Sequence, residues 1–158
     1  MKIFYFLLVI LTMVGCGPVT STIHEGDNAS NYRAIFKEDV PSNVEVLNCI
    51  FVTYQTNRIA VVTTPDWEIE LIAPKTWIDK IAEKRHLAPI EKYPHSVEYH
   101  LSDIKNRIDH RGREWYVPKD ISAYDCYFNE YTSIVYVHML VDKIPMNDNR
   151  YHVFLSKH

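Results

Sequence analysis

Val44-Glu45-Val46-Leu47-Asn48-Cys49-Ile50-Phe51-Val52-Thr53-Tyr54-Gln55 is the stretch on which the reading of the fold turns. Successive side chains of a strand point to opposite faces. Here Val46, Ile50, Val52 and Tyr54 alternate with Leu47, Cys49, Phe51 and Thr53, so both faces are largely apolar. That pattern predicts a central strand covered on both sides. Thr56-Asn57 supplies a turn, and the apolar run Arg58–Thr64 is expected to return as the second arm of a hairpin. Pro65-Asp66 breaks the run. Trp67, Ile69 and Leu71 then alternate with Glu68 and Glu70, which predicts a half-buried strand with a solvated carboxylate face.

Further along, Trp77, Ile78, Ile81 and Ala82 share one face at helical spacing, predicting an amphipathic helix over 75–86. Thr76 and Asp79 suit its N-terminal cap, and Lys84-Arg85 complement the dipole at its end. Leu87-Ala88-Pro89 terminates it, and its apolar face is expected to cover one side of the sheet. Val97, Tyr99 and Leu101 alternate with polar neighbours, a second half-buried strand. Residues 103–108 read either as its bulged continuation or as a helical turn capped by Ser102, and 114–117 as a returning strand after the Asp109–Gly112 turn. Three apolar, β-branched or aromatic runs follow, Ile121–Phe128, Thr132–Val141 and Tyr151–Leu155, an antiparallel meander. The fold class expected is α+β, mainly antiparallel β-sheet, open or curled into a partial barrel, with one substantial helix.

At the other end, Met1-Lys2 is followed by the apolar run Ile3–Val14 and then Gly15-Cys16-Gly17-Pro18. A basic start, a short apolar core and a small-residue cleavage point mark a secretory signal. The run is too short to cross a bilayer, which takes about 20 residues, and it lacks the polar face of a surface helix. Met13-Val14-Gly15-Cys16 resembles the lipobox of bacterial lipoproteins. The resemblance implies diacylglycerol on the Cys16 thiol, cleavage after Gly15 and acylation of the freed amino group. It also implies, from Gly17 rather than Asp after the cysteine, the outer membrane facing the periplasm in a Gram-negative host. On this reading residues 1–15 are signal peptide, 16–43 carry the lipid and a tether, and 44–158 form one globular domain. The tether rests on the Gly, Pro, Ser, Asn and Asp of 17–30, with 32–38 as a turn of helix or a flap.

The chain has 17 Lys+Arg against 20 Asp+Glu, and the signal removes only Lys2 from that balance. A mildly acidic domain has no general pull on nucleic acid. With Cys16 lipidated, Cys49 and Cys126 remain in an oxidising compartment, where a Cys49–Cys126 disulfide competes with two separate buried thiols.

No residue pattern commits to catalysis. His95, His100 and His110, with Asp103 and Asp109, lack the short spacings of zinc sites, so no metal or other cofactor is expected. Glu68 and Glu70, or Asp66 with Glu68, resemble a glycosidase pair only in type, and exposed carboxylates on a polar strand face account for them. Tyr124 and Tyr127 fall on opposite strand faces, which divides them, with Tyr131 and Tyr136, between core and surface. Arg107, Arg111 and Arg113 beside Trp115 and Tyr116 form the best recognition patch, suited to a phosphate, a carboxylate or an acidic partner. The function expected is therefore a membrane-tethered, non-enzymatic binding module for an envelope protein, in an inhibitor or immunity role. A structural subunit of an envelope assembly and a carboxylate hydrolase are the alternatives.

Overall fold

The computed structural model describes residues 19–56, 66–92, 102, 120–129 and 137–157. In chain order these form β1 (Val19–His24), α1 (Asn28–Phe36), β2 (Glu45–Thr56), β3 (Asp66–Pro74), α2 (Lys75–Lys84), β4 (Ala88–Pro89), β5 (Tyr124–Phe128), β6 (Val137–Asp142) and β7 (Arg150–Lys157). The strands make one seven-stranded sheet in the order β1-β2-β3-β7-β6-β5-β4. Every neighbouring pair is antiparallel. The fold is α+β, as expected, and among the described residues the sheet is open rather than closed into a barrel. The C-terminal meander is present as β5-β6-β7, and the two-faced β2 lies inside the sheet between β1 and β3.

The main core lies on one face. Cys49, Ile69, Leu155, Met139 and Tyr127 stand in register across five adjacent strands. Ile69, Leu155 and Met139 are wholly buried. Both helices cover this row, α1 through Tyr32, Ile35 and Phe36 and α2 through Trp77, Ile78 and Ile81. Trp77 Nε1 donates to Tyr32 Oη at 3.2 Å, joining the two helices. The Phe36 ring lies 4.4 Å from that of Tyr32 and about 6 Å from those of Trp67 and Trp77. The Arg85 guanidinium closes the cluster, 5.5 Å from both the Phe36 and Trp67 rings, a cation–π contact.

The expected tether is not what residues 19–30 form, and the turn of helix that is one reading of 32–38 belongs, up to Phe36, to α1. Val19–His24 pairs in register with Phe51–Thr56, and Tyr32 in α1 is 0 % exposed. The folded region therefore begins at Val19 within the described residues, well before residue 44. The physical reason is a complete set of helix signals in a polar stretch. Asp27 Oδ1 accepts from Ser30 N at 2.9 Å, an N-cap bond that holds its carboxyl below the usual range. Tyr32, Ile35 and Phe36 fall at i, i+3 and i+4, and Lys37 ends the helix in the left-handed region at φ 61°. Buried Asn31 ties the unit down, donating through Nδ2 to His24 O at 2.9 Å and Cys49 O at 3.0 Å. Asn31→Ala leaves both carbonyls without that donor and is expected to cost about 1–3 kcal/mol in urea unfolding.

Other expectations shift for local reasons. β2 continues to Thr56 and pairs with β3 itself, and the predicted 58–64 arm lies outside the described residues. So do the strands predicted at 97–101 and 114–117. Helix α2 starts at Lys75 behind Pro74 with no side-chain cap, and Asp79 pairs with Lys75 at 2.6 Å instead. Its end is a Schellman-type turn, with His86 at φ 54° and Leu87 N bonded to Ala82 O at 2.8 Å. Residues 121–123 are a 3-10 turn, not strand, because Asp120 Oδ1 accepts from Ser122 N at 2.9 Å.

The expected Cys49–Cys126 disulfide is absent, and both thiols are free. Cys49 is on β2 and Cys126 on β5, with β3, β7 and β6 between them. Four ladder spacings amount to about 19 Å, against a limit near 7 Å for a bridge. The two also face opposite ways, Cys49 into the helix-covered core and Cys126 towards Leu140 and Phe154. Burial pushes the Cys49 thiol up to about 12 and, with Glu91 and Asp125, the Cys126 thiol up to about 11. Native protein at pH 8 is expected to resist iodoacetamide at Cys49 and Cys126 and to take a label at each only after unfolding. A raised folded-state value stabilises the protonated form, so that contribution is intact below the ordinary thiol value of 9.0 and is lost as pH climbs towards 12.

Candidate functional site

The opposite face of the sheet carries the polar chemistry. Strand alternation that sends Ile69 and Leu71 into the core sends Glu68 and Glu70 to this side. Ile50, Glu68, Ser156, His138 and Phe128 form one row across adjacent strands. Its three polar members are 2 %, 1 % and 3 % exposed for Glu68, Ser156 and His138. Asn48, Glu70, Phe154, Leu140 and Cys126 form the next row.

Glu70 is held at both oxygens. Asn48 Nδ2 donates to Oε2 at 2.5 Å, and His152 Nε2 meets Oε1 at 2.7 Å. His152 is fixed in turn by aromatic neighbours, its ring 4.6 Å from Phe154 and 6.5 Å from Tyr124. A carboxylate with both oxygens engaged and a histidine stacked at its side is an anchored pair, not a free base. Glu70→Ala strips both partners of their acceptor and is expected to lower stability by about 1–3 kcal/mol, read as a lower urea midpoint.

The solvated carboxylate face expected on β3 is thus corrected, because Glu68 is buried and Glu70 is engaged across the strands. Ser, His and Glu on one face invite comparison with a hydrolytic triad, in which the histidine stands between serine and acid. Here Ser156 occupies the middle strand, with Glu68 on one side and His138 on the other. All three are buried. Ser156 Oγ is buried and makes no hydrogen bond among the described residues. The arrangement does structural work. It places polar groups at matched positions on β3, β7 and β6, where a one-residue slip would put them against the apolar row.

The recognition patch Arg107, Arg111, Arg113, Trp115 and Tyr116 lies outside the described residues, as do Cys16, the His95, His100 and His110 set with Asp103 and Asp109, and Tyr131 and Tyr136. Among the described residues no three His, Cys, Asp or Glu side chains are grouped to hold a metal. Tyr124 and Tyr127 do take opposite faces, Tyr124 beside Leu140 and Phe154 and Tyr127 against the main core. His138, His152, Ser156 and Asn48 were not singled out by the sequence reading. The signal in β7 is Arg150, His152 and Ser156 on one strand face, with Phe154 among them, opposite Tyr151, Val153 and Leu155.

Two surface features remain open. The β6–β7 turn exposes Ile144 (77 %) and Met146 (46 %). It is stiffened by Met146 N to Arg150 O at 2.7 Å and Lys143 N to Ala123 O at 3.0 Å. Strand β1 lies at one end of the sheet order with Ser21–His24 exposed. Compared with family models, with curated proteins and with solved structures, the chain matches none.

Proposed function

We propose that the chain is a lipid-anchored protein of the bacterial envelope that acts as a non-enzymatic binding module for another envelope protein, in an inhibitor or immunity role. The observation that carries this reading is the Met13-Val14-Gly15-Cys16 stretch behind a short apolar run with a basic start. The position of the fold along the chain supports it. Three residue steps separate Cys16 from Val19, the first residue of β1, which is at most about 11 Å of chain. Lipid on Cys16 would hold the domain directly against the membrane, within reach of other membrane-bound proteins. The polar groups of the sheet favour binding over hydrolysis, since Glu68 is buried and both oxygens of Glu70 are engaged.

The Arg107, Arg111, Arg113 patch with Trp115 and Tyr116 is the candidate contact, chosen for its residue types. Cross-linking of the full chain in its host membrane tests this. The expected result is one discrete envelope protein in stoichiometric yield, lost when the three arginines are replaced by glutamate. A discrete adduct unaffected by those substitutions removes the patch from the account. A wild-type chain that gives no discrete adduct counts against the binding role.

A further inference from the structure

The arginines of the described residues are treated unequally. Arg33 and Arg150 each meet a carboxylate at 2.6 Å, Asp39 and Asp148 respectively. The lysines of α2 are paired too, Lys75 with Asp79 and both Lys80 and Lys84 with Glu38. Arg85 meets no carboxylate among the described residues. It caps α2 with its backbone pinned, its N–H by Ile81 O at 3.0 Å and its carbonyl by Asn129 Nδ2 at 2.9 Å. Its guanidinium lies 5.5 Å from the Phe36 and Trp67 rings. A guanidinium stacked on rings still holds its five N–H donors in its own plane, aimed at acceptors. Arg85 uses them in one hydrogen bond, Nη2 to Ile35 O at 3.4 Å, and Nε is buried without an acceptor among the described residues.

A second cation stands beside it. Lys157 on β7 is directly opposite Trp67 on β3 and Val137 on β6, so the three side chains share the helix-covered face. Trp67 therefore has Arg85 over its ring and Lys157 at its flank. Burial, and after it the Arg85 charge, pull the Lys157 ammonium below its ordinary value, and Asp66 opposes them. Both cations are half-buried. Positive charge on such apolar ground is costly without a partner, and a counter-ion there gains more than it would in open water.

We propose that Arg85 and Lys157 form an anion site that takes a phosphate group, held by the edge of the guanidinium and by the ammonium. A phosphate suits the pair by shape. Its tetrahedral oxygens meet a planar fork of donors from one direction and a point charge from another at the same time. A carboxylate has two oxygens in one plane, which the guanidinium alone would occupy. The site lies towards the end of the sheet at which β1 begins, since Trp67 pairs with Phe51 and Val19 with Thr56 on β2. A phospholipid headgroup and free phosphate both present this group, and the test separates them. The site goes beyond the binding role proposed above and stands with or without lipid on Cys16.

The test is isothermal titration calorimetry of the full-length, membrane-extracted chain in a maltoside detergent, which carries no phosphate, with inorganic phosphate as titrant. The expected result is saturable binding with a Kd of about 1 mM or tighter. Arg85→Gln and Lys157→Gln are each expected to weaken it about tenfold or more, with circular dichroism unchanged. Lys157→Gln decides the matter if Arg85→Gln, which also loses its ring contacts, fails to fold. Lys84→Gln, on the neighbouring residue but paired with Glu38, is expected to leave binding as it was. The same titration in phosphatidylglycerol nanodiscs names the source. Loss of the phosphate signal there assigns the site to a lipid headgroup, and an undiminished signal assigns it to free phosphate. No binding in maltoside overturns the proposal. So does binding that survives Arg85→Gln and Lys157→Gln in folded protein, or that Lys84→Gln weakens equally. Glu130 follows Asn129 and lies outside the described residues. A silent wild-type chain that binds phosphate once Glu130→Gln is made would give the guanidinium to Glu130 and overturn the proposal as well.

Discussion

Phe36→Ala is expected to cost the protein about 3–5 kcal/mol, the range for emptying a buried aromatic site. Phe36 is 3 % exposed and stands where α1, α2 and β3 meet, with Tyr32, Trp77 and Trp67 around its ring. Its loss also removes one of the two aromatic faces beneath the Arg85 guanidinium. The neighbours are themselves fixed, Trp77 and Tyr32 by their mutual hydrogen bond and Trp67 by the β2 and β7 ladders. Surroundings so constrained collapse poorly into a cavity, which puts the cost at the upper end of the range. A domain of this size has only about 5–15 kcal/mol to lose, so the urea midpoint should fall by a third or more. The experiment also decides what residues 19–36 are. A change below about 0.5 kcal/mol, the level of an ordinary surface substitution, would mean that α1 is a loosely attached tether after all.

Cys16→Ala is expected to abolish both lipid attachment and processing. In the reading proposed above, the thiol of Cys16 accepts the diacylglycerol, and cleavage before that residue follows its modification. Alanine offers no nucleophile for the first step, so palmitate label should fall to background and Met1 should be retained. The effect is all-or-none because anchoring is steep in chain number. Each buried methylene contributes about 0.8 kcal/mol, one acyl chain binds only reversibly, and two or more hold stably. Full palmitate incorporation in the variant, or normal processing without Cys16, contradicts the proposal. Cys49→Ala and Cys126→Ala are the controls, since neither thiol lies in the apolar leader and both are free in the fold.

Which parts of this architecture were legible in the sequence follows from where the information sits. Strands β2, β6 and β7 could be read because their apolar side chains recur at the strand period over several residues, and α2 because Trp77, Ile78 and Ile81 recur at the helical one. Periodicity assigns residues to faces but does not say what covers each face. That is why Glu68 read as solvated although it is 2 % exposed. Strand β1 was hidden for a related reason. Val-Thr-Ser-Thr-Ile is good strand chemistry and equally good linker chemistry, and its strand state comes from the ladder to Phe51–Thr56. Helix α1 carried its own signals in Asp27, Ser30 and the Tyr32, Ile35, Phe36 spacing, but at nine residues it is too short to be stable without the sheet beneath it.

The cysteines show the limit of counting. Two thiols in a chain read as exported suggest a bridge, but strand order decides whether they meet. That order runs β2-β3-β7-β6-β5 and depends on β7 pairing with β3, a contact between distant parts of the chain. No local pattern encodes it. The buried row of Glu68, Ser156 and His138 is the same case, since its members come together only once that pairing is known.

Intact mass of the protein purified from its native membrane, before and after reduction, tests the central claim most directly. The account predicts a mass for residues 16–158 plus acyl groups, unchanged by reductant because Cys49 and Cys126 are not joined. An unprocessed mass with Met1 retained and no acyl addition would contradict the lipid anchor. A gain of about two mass units on reduction would contradict the strand order that keeps the two thiols apart.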